Sequence, residues 1–256
     1  MLRDIYRKID EHVDYLKFDN KERRNPYTSA DFTGEDLRKL RLKEESLKGA
    51  VFTNADLSGA SLCGCNFDGC NFDGADLSGA NIDGASFRGA SMNATKMVGV
   101  HAHKTIFTYA NLSGIAFDGA NLASANFSSC ELTNVSFNNI IGGRIRFDYS
   151  IIKNSSFRGA KLRKASFFEV IFLEKVDFTG AYIPFVTGDG VVLLSANCFR
   201  PYHVVWGGGV MAIECIQKPI DEWLLLSRDD ANELEDEVAG KFYDAYRDVL
   251  TKLISR

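Results

Sequence analysis

Residues 75–89 read Ala75-Asp76-Leu77-Ser78-Gly79-Ala80-Asn81-Ile82-Asp83-Gly84-Ala85-Ser86-Phe87-Arg88-Gly89. These are three units of five in which a small residue, a polar one and a large apolar one recur in order, with glycine closing each unit. Outward from this stretch the large apolar residue keeps its step of five from Phe32 to Phe172. Of those 29 positions, 27 are Leu, Ile, Met or Phe, and the exceptions are Ala102 and Gly142. Two residues earlier stands a small residue, as at Ala50, Ala55, Ala60, Cys65 and Cys70. Near Lys175 the frame slips by one residue and resumes as Val176-Asp177-Phe178-Thr179-Gly180 and Ala181-Tyr182-Ile183. A helix repeats its apolar positions about every 3.6 residues and a strand about every 2, so neither makes this pattern. A fixed longer step is the mark of a stacked repeat architecture.

The apolar positions also sort at a period of twenty. One column reads Leu47, Phe67, Phe87, Phe107, Phe127, Phe147, Phe167, and another reads Leu42, Leu62, Ile82, Ala102, Leu122, Gly142, Leu162. Six of seven are Phe in the first and none in the second, so four units make one turn of a coil. At a strand-like spacing of ~4.8 Å per coil the rod is roughly 37 Å long. Each coil buries its Leu and Phe against the next, which makes stability nearly one-dimensional and requires caps at the ends.

The run from about Ala30 to Ile183 resembles the pentapeptide-repeat family, whose motif is Ala-(Asp/Asn)-Leu-x-x. The resemblance implies an all-β fold, a right-handed quadrilateral β-helix with the central Leu/Phe and the small residue pointing inward. It divides the chain into an N-terminal helical cap and linker (1–29), the β-helix (30–183), and a C-terminal β-hairpin plus helix cap (184–256). In the first part Leu2, Ile5, Ile9, Val13 and Leu16 recur at helical spacing, and Asn25-Pro26 breaks the helix. In the last, Val191–Leu194, His203–Trp206 and Val210–Ile216 read as strands, with Gly207–Gly209 as a turn. Ser227 is the expected N-cap of a helix whose apolar stripe is Leu234, Val238, Phe242, Tyr246, Val249 and Leu253. That stripe needs a cover, and analogy to capped, head-on dimers in the family implies a homodimer. Cys215 and Glu222-Trp223 resemble the ending of some phage and bacterial pentapeptide proteins, which implies a phage or prophage origin.

The 256 residues are 45% hydrophobic and 25% charged, with formal net charge -4. No run of eighteen apolar residues and no signal-peptide apolar region occurs, so no membrane span is expected. Six cysteines without a disulfide-scaffold spacing suit reduced thiols in a cytoplasm, the host's if the gene is a phage's. The charge argues against a generally basic nucleic-acid binder, and no direct nucleic acid is expected.

Chemistry has few places to reside. His101-Ala102-His103 sits beside a shallow dent, one coil above Asp83 and two above Cys63. Asp83, His101 and His103 offer a metal reading toward Zn²⁺ or Ni²⁺, with exposed histidines as the plain alternative. A nucleophile reading fails, because Asp83 separates Cys63 from His103 by roughly 10 Å and a base must touch its nucleophile. Cys65, Cys70 and Cys130 take the inward place of Ala, where a thiol acts as a small hydrophobe. Gly142-Gly143 has no Lys-Ser/Thr after it, so it is no phosphate loop, and a local distortion of one coil is expected there. No nucleotide, paired-carboxylate or Ser-His-Asp motif appears, so neither an enzyme nor a cofactor is expected.

Charge remains. Residues 30–183 carry 16 acids and 16 bases, but unevenly. Between Gly49 and Phe87 stand Asp56, Asp68, Asp73, Asp76 and Asp83 with no Lys or Arg, and between Gly143 and Ala165 seven bases face Asp148 alone. Quinolone-resistance members of the resembled family imitate a DNA rod and bind DNA gyrase in its place. The resemblance therefore implies a protein partner, gyrase or another DNA-handling enzyme, met by those five aspartates. Two features depart from that model: the rod is neutral overall, and the unbroken frame leaves no room for projecting loops. The alternative is a phage-encoded structural, assembly or host-interaction protein docking through its caps. Asp56, Asp73 and Asp76 stand at outward positions, so their reversal to Lys is expected to leave the melting temperature nearly unchanged.

Overall fold

A small residue, a polar residue and a large apolar one in extended conformation make a strand only three residues long, and the next residues must turn. The computed structural model shows this in every unit. It describes residues 2–17, 29–168, 170–173, 176–178, 180–182, 204–207, 210–213 and 216–219. Side chains of 171–173 and of the last three segments are left undescribed.

A typical turn is closed by a backbone bond three residues back, as in Ala75 N–H to Phe72 O at 2.9 Å. Its third residue lies in the left-handed region: Gly74 at φ 72°, Gly79 at 63°, Gly84 at 69°. That is the type II turn, which asks for glycine there because a Cβ is strained at positive φ. Where glycine is absent the strain is accepted, as at Lys104 (58°), Tyr109 (62°) and Arg144 (60°).

Successive coils pair in parallel at a register of twenty, as in Asp36 with Asp56 and Asp56 with Asp76. The longer pairings are β1 (Arg41–Lys43) with β2 (Ser61–Cys63), and β3 (Glu131–Thr133) with β4 (Ile151–Lys153) and then β5 (Ile171–Leu173). After residue 173 the register becomes twenty-one, with Ser156 paired to Asp177 and Lys161 to Tyr182. The one-residue slip in the sequence thus reappears as a one-residue change of register that leaves the stack intact, since Phe178 still lies 4.7 Å from Phe157.

Every apolar position from Phe32 to Phe167 is buried. In the aromatic column Phe67, Phe87, Phe107, Phe127, Phe147 and Phe167 stack with centroids 4.8–5.5 Å apart, rings within 26° of parallel. The spacing of the rings is the spacing of the coils, so backbone ladder and side-chain stack reinforce each other.

Gly142 does not distort its coil. Its N–H bonds to Lys161 O at 2.8 Å and Ile141 pairs with Lys161 in register. A Cβ there would meet Leu162 Cδ2 at 2.9 Å and Ile140 Cδ1 and Ile145 Cγ2 at 3.3 Å. The expected distortion is absent because two isoleucines replace alanine on either side and fill the space. At Ala102 the same exchange occurs, with Val100 and Thr105 buried beside it.

α1 (Leu2–Lys17) follows the apolar spacing read from the sequence and buries Ile5 and Ile9 in the same core as the first coil. Farther on, β6 (Val204–Gly207), β7 (Val210–Ile213) and β8 (Ile216–Pro219) form an antiparallel meander. This corrects the single strand expected over 210–216: β7 and β8 are two strands paired antiparallel, with Ile213 opposite Ile216. Val191–Leu194, the Ser227 N-cap, the Leu234–Leu253 stripe and the Cys215 and Glu222-Trp223 ending lie outside the described residues.

Candidate functional site

The outward aspartates belong to a ladder of hydrogen bonds. In each unit the third residue needs a partner for its N–H. Where the first residue is Asp or Asn it accepts that N–H itself: Asp56 from Ser58 at 3.0 Å, Asn71 from Asp73 at 2.8 Å, Asp76 from Ser78 at 2.9 Å. This is the Asx turn. Where the first residue is Ser, too short for that bond, the acid one coil below supplies it. Asp68 accepts Ser86 Oγ and the Arg88 N–H. Asp73 accepts Ser91 Oγ and the Asn93 N–H at 2.8 Å each. Asp118 and Asp148 repeat the arrangement with Ser136 and Ser166. Asp83 accepts the His103 N–H at 2.7 Å.

The five candidate aspartates are therefore outward but not idle. Reversing Asp56, Asp73 or Asp76 to Lys removes an acceptor from a turn, which corrects the expectation of an unchanged melting temperature. At Asp76 burial raises the carboxyl, but the Ser78 hydroxyl and N–H and nearby Lys96 outweigh it and hold it below the ordinary carboxylate range.

The coil register also fixes where the five stand. Asp56 and Asp76 share one face, whereas Asp73, Asp83 and Asp68 lie on the other three. The acidic run thus wraps the rod instead of forming a one-sided patch. Arg38 reaches Asp56 at 3.5 Å and Lys96 reaches Asp76 at 3.6 Å, so a base closes that column at each end.

Among the described residues no three His, Cys, Asp or Glu stand as a group able to hold a metal ion. Asp83, His101 and His103 share a face, but the Asp83 carboxylate is spent on the His103 backbone. The inward cysteines are as the repeat implies. Cys70 Sγ donates to Leu47 O and Cys130 Sγ to Phe107 O, both at 2.9 Å. Burial pushes Cys65 up to about 11 and Cys70 and Cys130 up to about 12, so they stay thiols and are poor nucleophiles at neutral pH.

Three polar residues of α1 went unread in the sequence, and each satisfies the first coil. His12 Nδ1 accepts the Ala30 N–H and its Nε2–H faces Lys48 O, both at 3.1 Å. Tyr6 Oη donates to Arg41 O at 3.3 Å. Lys8 Nζ reaches Asp31 O at 3.1 Å and Glu35 at 3.0 Å. The signal in the sequence was the spacing of Ile9 and His12 beside the apolar stripe, which widens the buried face, whereas Tyr6 stays exposed. Between α1 and the first coil lies an open polar groove of about 510 Å³, lined by Lys8, Glu11, Ser29, Asp31 and Glu35 among others. No helix among the described residues is long and apolar enough to cross a membrane.

Residues 47–91 match a family model described as pentapeptide repeats in nine copies, and residues 107–139 match one of eight copies. No curated protein matches the chain. Among solved structures it is similar to QnrB1, a plasmid-mediated fluoroquinolone resistance protein, at 21% identity over 63% of this chain and 86% of that one, TM-score 0.44. Rfr23 of the cyanobacterium Cyanothece 51142 is 18% identical over 41% and 85%, TM-score 0.40. HetL of Nostoc sp. strain PCC 7120, involved in heterocyst differentiation regulation, is 23% identical over 62% and 74%, TM-score 0.26.

Proposed function

We propose that this chain, which matches pentapeptide-repeat models over residues 47–91 and 107–139, is a non-enzymatic module that binds a protein partner through a rigid surface. The partner we infer is a DNA-handling enzyme such as gyrase, engaged by the coils between Gly49 and Phe87. One observation carries this reading. Asp56, Asp68, Asp73, Asp76 and Asp83 encircle a narrow rod with no Lys or Arg among them in that stretch. A rod with carboxylates on all four sides, those of Asp56 and Asp76 shared with Arg38 and Lys96, offers a phosphate-binding groove acidic contacts of the kind duplex DNA offers, because such grooves are lined with Lys and Arg. The buried, raised thiols leave the core without a reactive group. The four described cysteines are free, in keeping with a reducing cytoplasm. A homodimer through the Leu234–Leu253 stripe belongs to the same reading, and light scattering on the full chain at high micromolar concentration tests it.

The test of the partner uses Asp→Asn rather than reversal, because Asn66, Asn71 and Asn138 already serve as ladder acceptors in this chain. A variant with all five aspartates as Asn keeps the acceptors and loses the charge. Wild type is expected to inhibit supercoiling by gyrase and the variant is not, with melting temperatures nearly equal. Absence of inhibition by the wild type at micromolar concentration ends the gyrase reading.

A further inference from the structure

The opposite charge has a more defined geometry. Units 101–105, 121–125, 141–145 and 161–165 lie above one another, through His101 paired with Asn121, Asn121 with Ile141, and Ile141 with Lys161. They contain Lys104, Arg144, Lys161, Arg163 and Lys164 and no Asp or Glu. All five cations are exposed. Elsewhere on the rod several bases are matched: Arg38 with Asp36, Lys96 with Asp76, Arg146 with Asp148, Arg158 with Asp177. Among the described residues, none of the five on this face meets a carboxylate. Lys104, Arg144 and Lys164 stand in one column at left-handed turn positions, φ 58°, 60° and 57°, which project them from the corner of the rod.

Between the cations the face is low, with one exposed apolar side chain beside Asn121 and Ser124. Ala123 and Gly143 give it little relief, and Ile141 is 50% exposed in the column between Asn121 and Lys161. The cationic zone is also bounded. One coil below His103 lies Asp83, and the first coil of the same face carries Glu44 and Glu45 beside Arg41 and Lys43, with no net charge. Four coils span three spacings, roughly 14 Å, the length of about nine helical residues.

We propose that this face is a docking surface for a short acidic amphipathic segment of a protein partner, with carboxylates on the five cations and an apolar side chain on Ile141. Coil spacings of ~4.8 and ~9.6 Å along the Lys104–Arg144–Lys164 column match carboxylates four and seven residues apart on a helix, ~6 and ~10.5 Å. A nucleic-acid backbone fits less well. It has no apolar group for Ile141, and a duplex continuing along the rod runs onto Asp83. The surface is separate from the aspartate girdle, so its failure and the failure of the gyrase reading are distinguishable.

The test is fluorescence anisotropy with a labelled helical peptide of about twelve residues, glutamates on one side and leucines beside them, added to the full chain. Binding is expected, and it weakens steeply between about 50 and about 300 mM salt. The variant Arg144→Glu with Lys164→Glu is expected to lose about tenfold or more, as like charges now face each other. Glu is tolerated at those turns, because Glu44 occupies the same column at φ 59°. Arg144→Gln with Lys164→Gln gives a milder loss, Ile141→Ser weakens binding at every salt concentration, and Arg88→Glu on another face leaves it unchanged. Equal binding by wild type and the Arg144→Glu, Lys164→Glu variant overturns the proposal. So does tighter binding of a duplex or single-stranded oligonucleotide that displaces the peptide, which would give the face to phosphates.

Discussion

Phe107 lies between Phe87 and Phe127 at centroid distances of 5.5 and 4.8 Å and meets Phe117 edge-on. Phe107→Ala removes a fully buried ring from a stack that cannot close over the gap, and should cost about 3–5 kcal/mol. Cys65→Ala exchanges one small inward residue for another and should cost far less. Similar melting shifts in the two variants would show that the stack contributes little. The turn position at Lys104 behaves in the opposite sense. Its side chain is outward and its φ is 58°, so Lys104→Gly relieves strain of ~1–2 kcal/mol and loses ~0.4–1 kcal/mol to the freer unfolded chain. A small rise in melting temperature is expected, and a fall would mean that the lysine makes a stabilising contact. At Asp73 the ladder gives a third contrast. Asp73→Asn keeps an acceptor for the Ser91 hydroxyl and the Asn93 N–H, whereas Asp73→Ala leaves both without it, at a cost of about 1–3 kcal/mol. Equal denaturation midpoints for the two would remove the ladder from the account of stability.

α1 is held to the first coil by Ile5 and Ile9 and by the polar bonds of Tyr6, Lys8 and His12. His12 is the pH-sensitive member. Burial lowers its pKa, partly offset by the carbonyls of Lys48 and Leu47, and the neutral ring is the one that can accept the Ala30 N–H. The unfolded chain therefore binds the proton more readily than the folded one. The contribution of His12 is complete above the unfolded value of about 6.5 and is lost as pH falls through the lower folded value. The melting temperature should drop on acidification, and less so in His12→Gln, whose amide offers an acceptor and a donor without titrating. Parallel pH profiles for the two proteins would show that another group sets the response.

At the scale of the whole rod each coil touches only its neighbours, so what matters is register and not amount. Deleting residues 111–130, one whole coil, brings Glu131 above Asn111's former neighbours with every column preserved. Deleting only 111–120 places Phe127 above Met97 instead of Phe107 and breaks the aromatic stack. The longer deletion should therefore be the less destabilising, measured by thermal melts of the two purified proteins. The reverse order would mean that the sorted columns do not matter. The sequence by itself determined the step of five, the coil of twenty, the inward residues, the slip near Lys175 and α1, because each rests on a local periodic pattern that repeats often enough to exclude the alternatives. Only the tertiary structure decided how residues twenty apart use their polar atoms. Asp68 and Asp73 read as free surface charge until the next coil's N–H groups are placed beside them, and Gly142 reads as a defect until Ile140, Ile145 and Leu162 are seen to fill its space. The acidic run is contiguous in sequence, and it forms a girdle because consecutive units turn through a right angle. The cationic face was legible in part: Arg144, Lys161, Arg163 and Lys164 belong to the basic run between Gly143 and Ala165, but Lys104 is forty residues from Arg144 along the chain and joins them only once the coils are stacked.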